Sequence, residues 1–195
     1  MHYLKLAGSI EEICRLRILS IYNLSNSMKN NIILSTKRLY LRELTLEDAQ
    51  LLIDLNSDPE VTRYTGDGAV KDLEDSKRIL IDIIFPQYLN EMGRWAVHLK
   101  ADDEFIGWCG LKYQAEQDEV DLGYRFFKKH WNKGYAVESA KAVIDYGINI
   151  LKLKNIIARA AKENKASINV LKKIGMKYLS VEMCCHDPAE KYTLK

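Results

Sequence analysis

The segment YRFFKKHWNKGYAVESA, residues 124–140, joins an alternating apolar run to a basic, glycine-containing loop and then to a helix start. A helix N-terminus presents unpaired N–H groups and about half a positive charge, so a strand–loop–helix junction of this composition suits an anionic phosphate. Gly134 lets the backbone approach such a group closely, Ala136 keeps the first turn open, and Lys128, Lys129 and Lys133 add positive charge. Glycine also caps many helices that bind nothing, so taken alone the junction leaves a plain helix cap as the alternative. Its spacing is neither the G-x-x-x-x-G-K-S/T nucleotide loop nor a G-x-G-x-x-G turn after the first strand of a βαβ unit, and so favours neither ATP nor a dinucleotide.

Immediately upstream, EVDLGYRFF (119–127) places Val120, Leu122, Tyr124 and Phe126 on one face of a strand and Glu119, Asp121, Gly123 and Arg125 on the other. RWAVHL (94–99) and EFIGWCGLKY (104–113) are linked to each other and to that strand by the turn-prone ADD and AEQD, which predicts an antiparallel meander. Further upstream, IILSTKRLYLREL (32–44) predicts strands, and Thr45 with Asp48 has the spacing of a capping box. The helix it opens carries Leu51, Leu52 and Leu55, and Pro59 helps to end it. A loop with Gly66 and Gly68 leads to a helix over about 72–88, with Leu73, Ile79, Leu80, Ile83 and Ile84 as its buried face. Downstream of the junction the pattern predicts a helix over about 134–151, a strand at NIIARA, a helix over about 165–174 closed by Gly175, and final strands at KYLSVEMC and KYTLK.

The 195 residues are enough for one domain with a sizeable core, and 47% hydrophobic with 29% charged residues is ordinary for a folded soluble chain. A net charge of +2 spreads too little positive charge for phosphate-backbone binding, so nucleic acid is not expected as a direct ligand. Cys14, Cys109, Cys184 and Cys185 show no metal-site spacing, nor do His2, His98, His130 and His186, so no metal is expected and the cysteines read as thiols in a reducing compartment. No apolar run approaches the ~18 residues of a membrane span and no secretory cleavage pattern is present, which makes the expected location cytoplasmic and gives no membrane partner. Residues 1–31 differ from the rest: Ile10, Ile13, Leu16 and Leu19 or Ile21 suit one amphipathic helix, and the polar NLSNSMKNN then separates it from the strand at Ile32. We read 1–31 as an appendage, either an upstream extension before Met28 or a partner-binding helix, and 32–195 as the domain.

WNKGYA (131–136) resembles the acyl-CoA pyrophosphate signature Q/R-x-x-G-x-G/A of the GNAT superfamily of N-acetyltransferases, with Trp131, Gly134 and Ala136 at its specified positions. Trp131 departs from the general signature but matches the WxKGYAxE form of the RimJ/RimL branch, which here includes Glu138. DLGYRF (121–126), NKASINVLKKIGM (164–176), and the opening TKRLYLREL with DPEVTRY match that branch in the same order, so the resemblance spans about residues 36–195. It implies an α/β (α+β) fold, a mixed and mostly antiparallel sheet of six to seven strands flanked by about four helices, splayed to form a V-shaped acyl-CoA slot. Pantetheine would enter that slot rather like an extra strand, satisfying unpaired N–H and C=O groups. The implied co-substrate is acetyl-CoA and the partner an amine acceptor, a protein N-terminus or a small amine, with the chain a monomer or homodimer. Backbone groups around Phe126 and Phe127 would contact pantetheine, Asn132, Lys133, Gly134, Tyr135 and Ala136 would bind the pyrophosphate, and Asn164 would reach the cofactor from the other side while also suiting a helix N-cap.

Acetyl transfer needs a neutral amine, a polarised carbonyl and a departing thiolate. A backbone N–H at the end of the 119–127 strand would polarise the carbonyl. Asp121 falls at the branch's carboxylate position and is the expected acid–base residue, acting through a water because aspartate is one methylene shorter than the more usual glutamate. Glu119 shares its face and is the reserve; plain solvated carboxylates are the alternative. The tyrosine that protonates the leaving sulfur in many superfamily members is replaced by Leu171, and Ser167 is the nearest candidate donor, or else an ordinary helix serine. A thiol of pKa near 8.5 already leaves tolerably well. Leu171 also makes a non-catalytic acyl-CoA-binding domain of the same fold the alternative function. Trp95 and Trp108, on adjacent strands, read as core residues or as a lining of the acceptor cleft. Deletion of residues 1–27 is expected to leave the melting temperature and acetyl-CoA affinity nearly unchanged, which thermal melts with and without the co-substrate would check.

Overall fold

Leu39 and Leu41 alternate with Tyr40 and Arg42, and this two-residue period folds the opening segment into a hairpin of β1 (Ile32–Ser35) and β2 (Leu39–Arg42) with both leucines fully buried. The computed structural model describes residues 32–66, 70–184 and 187–194. The expected appendage over 1–31, with Gly68, Cys14, Cys185, His2 and His186, lies outside the described residues.

After β2, the carboxylate of Asp48 accepts from the backbone and hydroxyl of Thr45, 2.7 and 3.1 Å away, so the predicted capping box forms. It opens a 3₁₀ turn (Leu46–Asp48) that runs into α1 (Ala49–Asn56). Burial opposes the Asp48 charge, but Arg42, bonded at 2.7 and 2.8 Å, and the two Thr45 bonds outweigh it and hold the carboxyl below its usual value. Pro59 begins a helix where the sequence suggested only an end: it occupies the first turn of α2 (Pro59–Thr62), behind an Asp58 cap, because its fixed φ and missing N–H are harmless there.

The next helical run is α3 (Leu73–Ile79), a π-helical turn (Leu80–Ile84) and α4 (Phe85–Tyr88). The extra residue in the π turn rotates the buried stripe. The expected face of Leu73, Ile79, Leu80, Ile83 and Ile84 is corrected: Leu80, Ile84, Phe85 and Ser76 are buried, whereas Leu73, at the start of α3, and Ile83, within the π turn, are exposed at 42% and 49%. The Ser76 hydroxyl is satisfied by the Ala49 carbonyl at 2.7 Å.

The meander follows as β3 (Gly93–Leu99), β4 (Phe105–Gln114) and β5 (Glu119–Phe126), paired antiparallel. Then come α5 (Tyr135–Asn149), β6 (Ile157–Ala161), α6 (Lys165–Lys173), β7 (Lys177–Cys184) and β8 (Asp187–Thr193). Together the strands make one eight-stranded sheet in the order β1-β2-β3-β4-β5-β6-β8-β7, one strand more than the upper expectation. Among the described strands only β5 and β6 run parallel, and their pairing is a single bridge, Asp121 with Ile157. Beyond it the two strands diverge and leave the expected slot.

Two apolar clusters clamp the sheet. One, around Leu41, Trp95, Leu111 and Leu122, packs beneath α5 and α6 through Val143 and Leu171; the other, around Leu44, Leu55, Leu80 and Phe85, lies beneath α1, α3 and α4. No helix among the described residues is long and apolar enough to cross a membrane. Leu80→Ala should destabilise by ~2–5 kcal/mol as a core truncation, whereas Ile83→Ala should change stability by ~0.5 kcal/mol or less. Chemical denaturation of the two variants checks the rotated stripe, and equal losses would contradict it.

Candidate active site

β5 ends at Phe126, and a 3₁₀ turn (Lys128–His130) then carries the chain into the loop before α5. The Trp131 indole N–H donates to the Phe126 carbonyl at 2.8 Å, latching the loop back onto the strand it leaves. Asn132 and Gly134 both take positive φ, +59° and +82°, so Gly134 caps α5 in the left-handed conformation that glycine adopts without strain. A Cβ there would lie 3.3 Å from Arg38 Nη2. The first-turn N–H groups of α5 thus face outward with no helical carbonyl to bond, which fits a phosphate held by backbone.

Lys128 and Lys129, expected to supply charge to this loop, are engaged elsewhere: Lys128 lies 3.6 Å from Glu60 and Lys129 2.5 Å from Glu104. Beside the loop stands a further cation, Arg38. Its Nη1 donates to the Lys133 carbonyl at 2.9 Å, and its guanidinium sits 4.5 Å from the Tyr135 ring centre.

A cleft of about 1300 Å³ runs from this loop along the gap between β5 and β6 to α2. Asn132, Gly134, Tyr135, Ala136, Phe126, Asn164, Ser167 and Asp121 all line it. Phe127, Lys133 and Glu119 do not: the Phe127 N–H donates to the Ile106 carbonyl at 3.1 Å and its ring meets Phe105 edge-on in the second core. The Lys133 carbonyl holds Arg38. Asn164 performs its N-cap role, accepting from Ser167 N–H at 3.0 Å, and also faces the cleft, so its two readings coexist.

The two strand carboxylates occupy different surroundings. Glu119 accepts from Lys191 at 2.5 Å and Arg159 at 2.6 Å; Lys191 contributes most to holding its carboxyl below the usual range, burial opposing and Arg159 adding to the effect. Asp121 sits at the β5–β6 bridge with its side chain 13% exposed, 3.1 Å from Arg94 Nη2 and 3.6 Å from Arg159 Nη1. Burial raises its carboxyl above the usual aspartate value, with Arg94, Arg159 and Lys112 pulling in the other direction. Arg94 reaches Asp121 by crossing β4, and its guanidinium lies over Gly123 of β5, where a Cβ would come within 2.7 Å of it.

Sequence reading missed three residues here. The Tyr124 hydroxyl lies 2.9 Å from Ser167 Oγ and donates to the Ser167 carbonyl at 3.2 Å; burial raises its phenol well above the ordinary value, and the Ser167 bond offsets this only in part. Arg94 and Arg38 are the others. Their partners lie 27 to 100 residues away, a distance at which periodicity carries no signal. The two tryptophans separate: Trp95 is core, edge-on to Tyr146, while Trp108 lines the cleft with the Arg94 and Arg125 guanidiniums 5.1 and 5.4 Å from its ring. Cys109 is buried and its thiol is pushed up to about 12 by desolvation, so it offers no nucleophile. Among the described residues no cluster of three or more His, Cys, Asp or Glu is arranged to hold a metal.

A family model described as an acetyltransferase (GNAT) domain matches residues 38–177. The chain is 36% identical over 139 residues to the uncharacterized N-acetyltransferase p20 of Bacillus licheniformis, covering 71% of this chain and 78% of that one. Among solved structures it is similar to RimL, a ribosomal L7/L12 alpha-N-protein acetyltransferase, with a TM-score of 0.72, 14% identity, and 86% and 95% of the two chains covered. It is also similar to a spermidine N-acetyltransferase of Vibrio cholerae in complex with CoA and spermine, with a TM-score of 0.67, 17% identity and 81% and 95% coverage. At those identities the two structures speak to the fold. Gly134→Val should remain folded, since left-handed strain of ~1–2 kcal/mol is small beside a typical domain stability, yet lose the thermal stabilisation by acetyl-CoA. Undiminished stabilisation in a folded variant would put the phosphate elsewhere.

Proposed function

The chain belongs to the acetyltransferase (GNAT) domain family, and from that premise we propose that it transfers the acetyl group of acetyl-CoA to a primary amine by direct attack within a ternary complex. One observation carries the reading: the phosphate loop, Asp121 and the Ser167–Tyr124 hydroxyl pair, far apart in sequence, line one cleft that opens where β5 leaves β6. Acetyl-CoA, when bound, supplies the thioester. The residues that would hold it are the backbone of Asn132 to Ala136 at its phosphates, the diverging edge of β5 at its extended arm, and Asn164 from α6.

Asp121 then has two tasks. Its charge attracts an ammonium, and its carboxylate takes the proton that a primary amine must lose before it is nucleophilic, a step typically worth ~10²–10⁴ in rate. Arg94 and Arg159 fix the carboxylate without reversing the rise that burial gives its pKa. Glu119 is the weaker base, because two cations hold it ionised and it does not line the cleft. At the leaving sulfur, Ser167 Oγ–H donates a hydrogen bond while Tyr124 fixes its orientation. A phenol raised by burial stays protonated, so this pair stabilises a thiolate by hydrogen bonding and delivers no net proton.

Thiol release from acetyl-CoA across a panel of peptides and small amines tests the activity. Binding of CoA without release for any amine would favour the non-catalytic alternative. Asp121→Asn keeps the shape and removes the charge, so kcat/KM should fall at least about tenfold with co-substrate affinity little changed. The wild-type acid limb, where activity declines as the pH falls through an ionisation above the usual aspartate value, should vanish in that variant. Its loss should shrink as rising pH frees more amine. Full activity in Asp121→Asn together with a loss in Glu119→Gln would transfer the role to Glu119.

A further inference from the structure

Glu138 stands in the first turn of α5, the place where a carboxylate would compete with a bound phosphate for the free N–H groups. It is turned away from them. Its Oε1 accepts from the Thr36 hydroxyl at 2.7 Å and from the Arg38 backbone N–H at 2.8 Å, and its Oε2 accepts from Arg38 Nε at 2.7 Å. Burial opposes its ionisation, but these bonds to Thr36 and Arg38 outweigh it and keep the carboxylate charged. With Nε thus fixed, the remaining fork of the guanidinium has one direction: Nη1 reaches the Lys133 carbonyl and the plane lies against the Tyr135 ring. Arg38 therefore grips the two residues on either side of Gly134. It comes from the β1–β2 turn, which is itself closed by the Thr36 N–H bond to the Leu39 carbonyl at 2.9 Å.

We propose that Arg38, oriented by Glu138, is a positioning residue that holds the 132–136 loop in its phosphate-binding shape and so sets the affinity for the phosphate-bearing half of the acyl donor. The inference rests on the acetyl-CoA reading above and assigns a role to a residue outside the loop motif. Two positive-φ residues in a five-residue loop leave that loop several alternative shapes, and a carbonyl tied to an external guanidinium removes those in which Lys133 O turns into the cleft. A planar fork serves here where an ammonium would not, because three directions must be met at once: Glu138, Lys133 and the tyrosine ring.

The test compares two donors, acetyl-CoA and S-acetyl-pantetheine, which shares the thioester and arm but has no phosphates. In Arg38→Gln the KM for acetyl-CoA and the Kd for CoA, measured by calorimetry, should rise at least about tenfold with kcat within about threefold, while kcat/KM for S-acetyl-pantetheine stays unchanged. The double variant Arg38→Gln/Glu138→Gln restores the wild-type charge balance at the loop. A loss that persists in it supports positioning, and full recovery would overturn the proposal in favour of simple charge. Equal losses for both donors, or a lowered melting temperature with no donor selectivity, would reduce Arg38 to a structural residue. Unaltered CoA affinity in Arg38→Gln also overturns the proposal. Failure of the wild type to bind CoA at all would instead refute the acetyl-CoA reading on which it rests.

Discussion

Asp121 occupies the one bridge between β5 and β6, and two guanidiniums converge on it there. This ion cluster sits where the sheet has least backbone to hold it together. Across the gap, Arg159 of β6 reaches both Asp121 and Glu119 of β5, and Lys191 of β8 also reaches Glu119; Arg159 and Lys191 both engage Glu182 of β7. Side-chain pairs thus substitute for the ladder bonds that the divergence removes. The slot exists because these two strands separate, and it keeps its width because the cluster spans its closed end.

The same cluster makes Gly123 a packing requirement. Arg94 approaches Asp121 from β3 across β4, and a side chain at 123 would occupy the guanidinium's place. Arg94 also donates to the Gly110 carbonyl at 2.7 Å and flanks Trp108, so a single arginine fixes the carboxylate and shapes the wall beside it. Glu119, two residues away on the same strand face, ends up as a tie between strands. The difference between the two carboxylates is one of burial and partners, and those come from strands that are distant in sequence.

At the open end, the 131–136 loop is shaped by two contacts, Trp131 to the end of β5 and Arg38 to Lys133, and by the left-handed Gly134 at the start of α5. Lys128 and Lys129 are engaged by Glu60 and Glu104 and Arg38 by Glu138, so the positive end of α5 is what the junction itself would offer an anion. The tryptophan in place of the signature's glutamine or arginine has a physical account, since its indole N–H satisfies the Phe126 carbonyl where the strand stops.

By itself the sequence determined the order and type of the elements, because two-residue and 3.6-residue periodicities are local and the capping residues sit beside what they cap. Thr45 with Asp48, Asn164 with Ser167, and Gly134 before α5 were all legible for that reason. It also located the strand–loop–helix junction at 131–136, whose shape is made by consecutive backbone groups. The π turn escaped it, since no residue type signals one extra residue per turn, and Ile83 lies exposed within it. Pro59 was ambiguous for a related reason: the same fixed φ ends one helix and begins another. Only the tertiary structure decided which carboxylate faces the cleft, that Tyr124 rather than a residue at 171 brings a hydroxyl to Ser167, and that Arg38 holds the loop. Each depends on groups up to 100 residues apart meeting across the sheet, and a meeting of that kind is fixed by topology and packing, which leave no trace in local spacing.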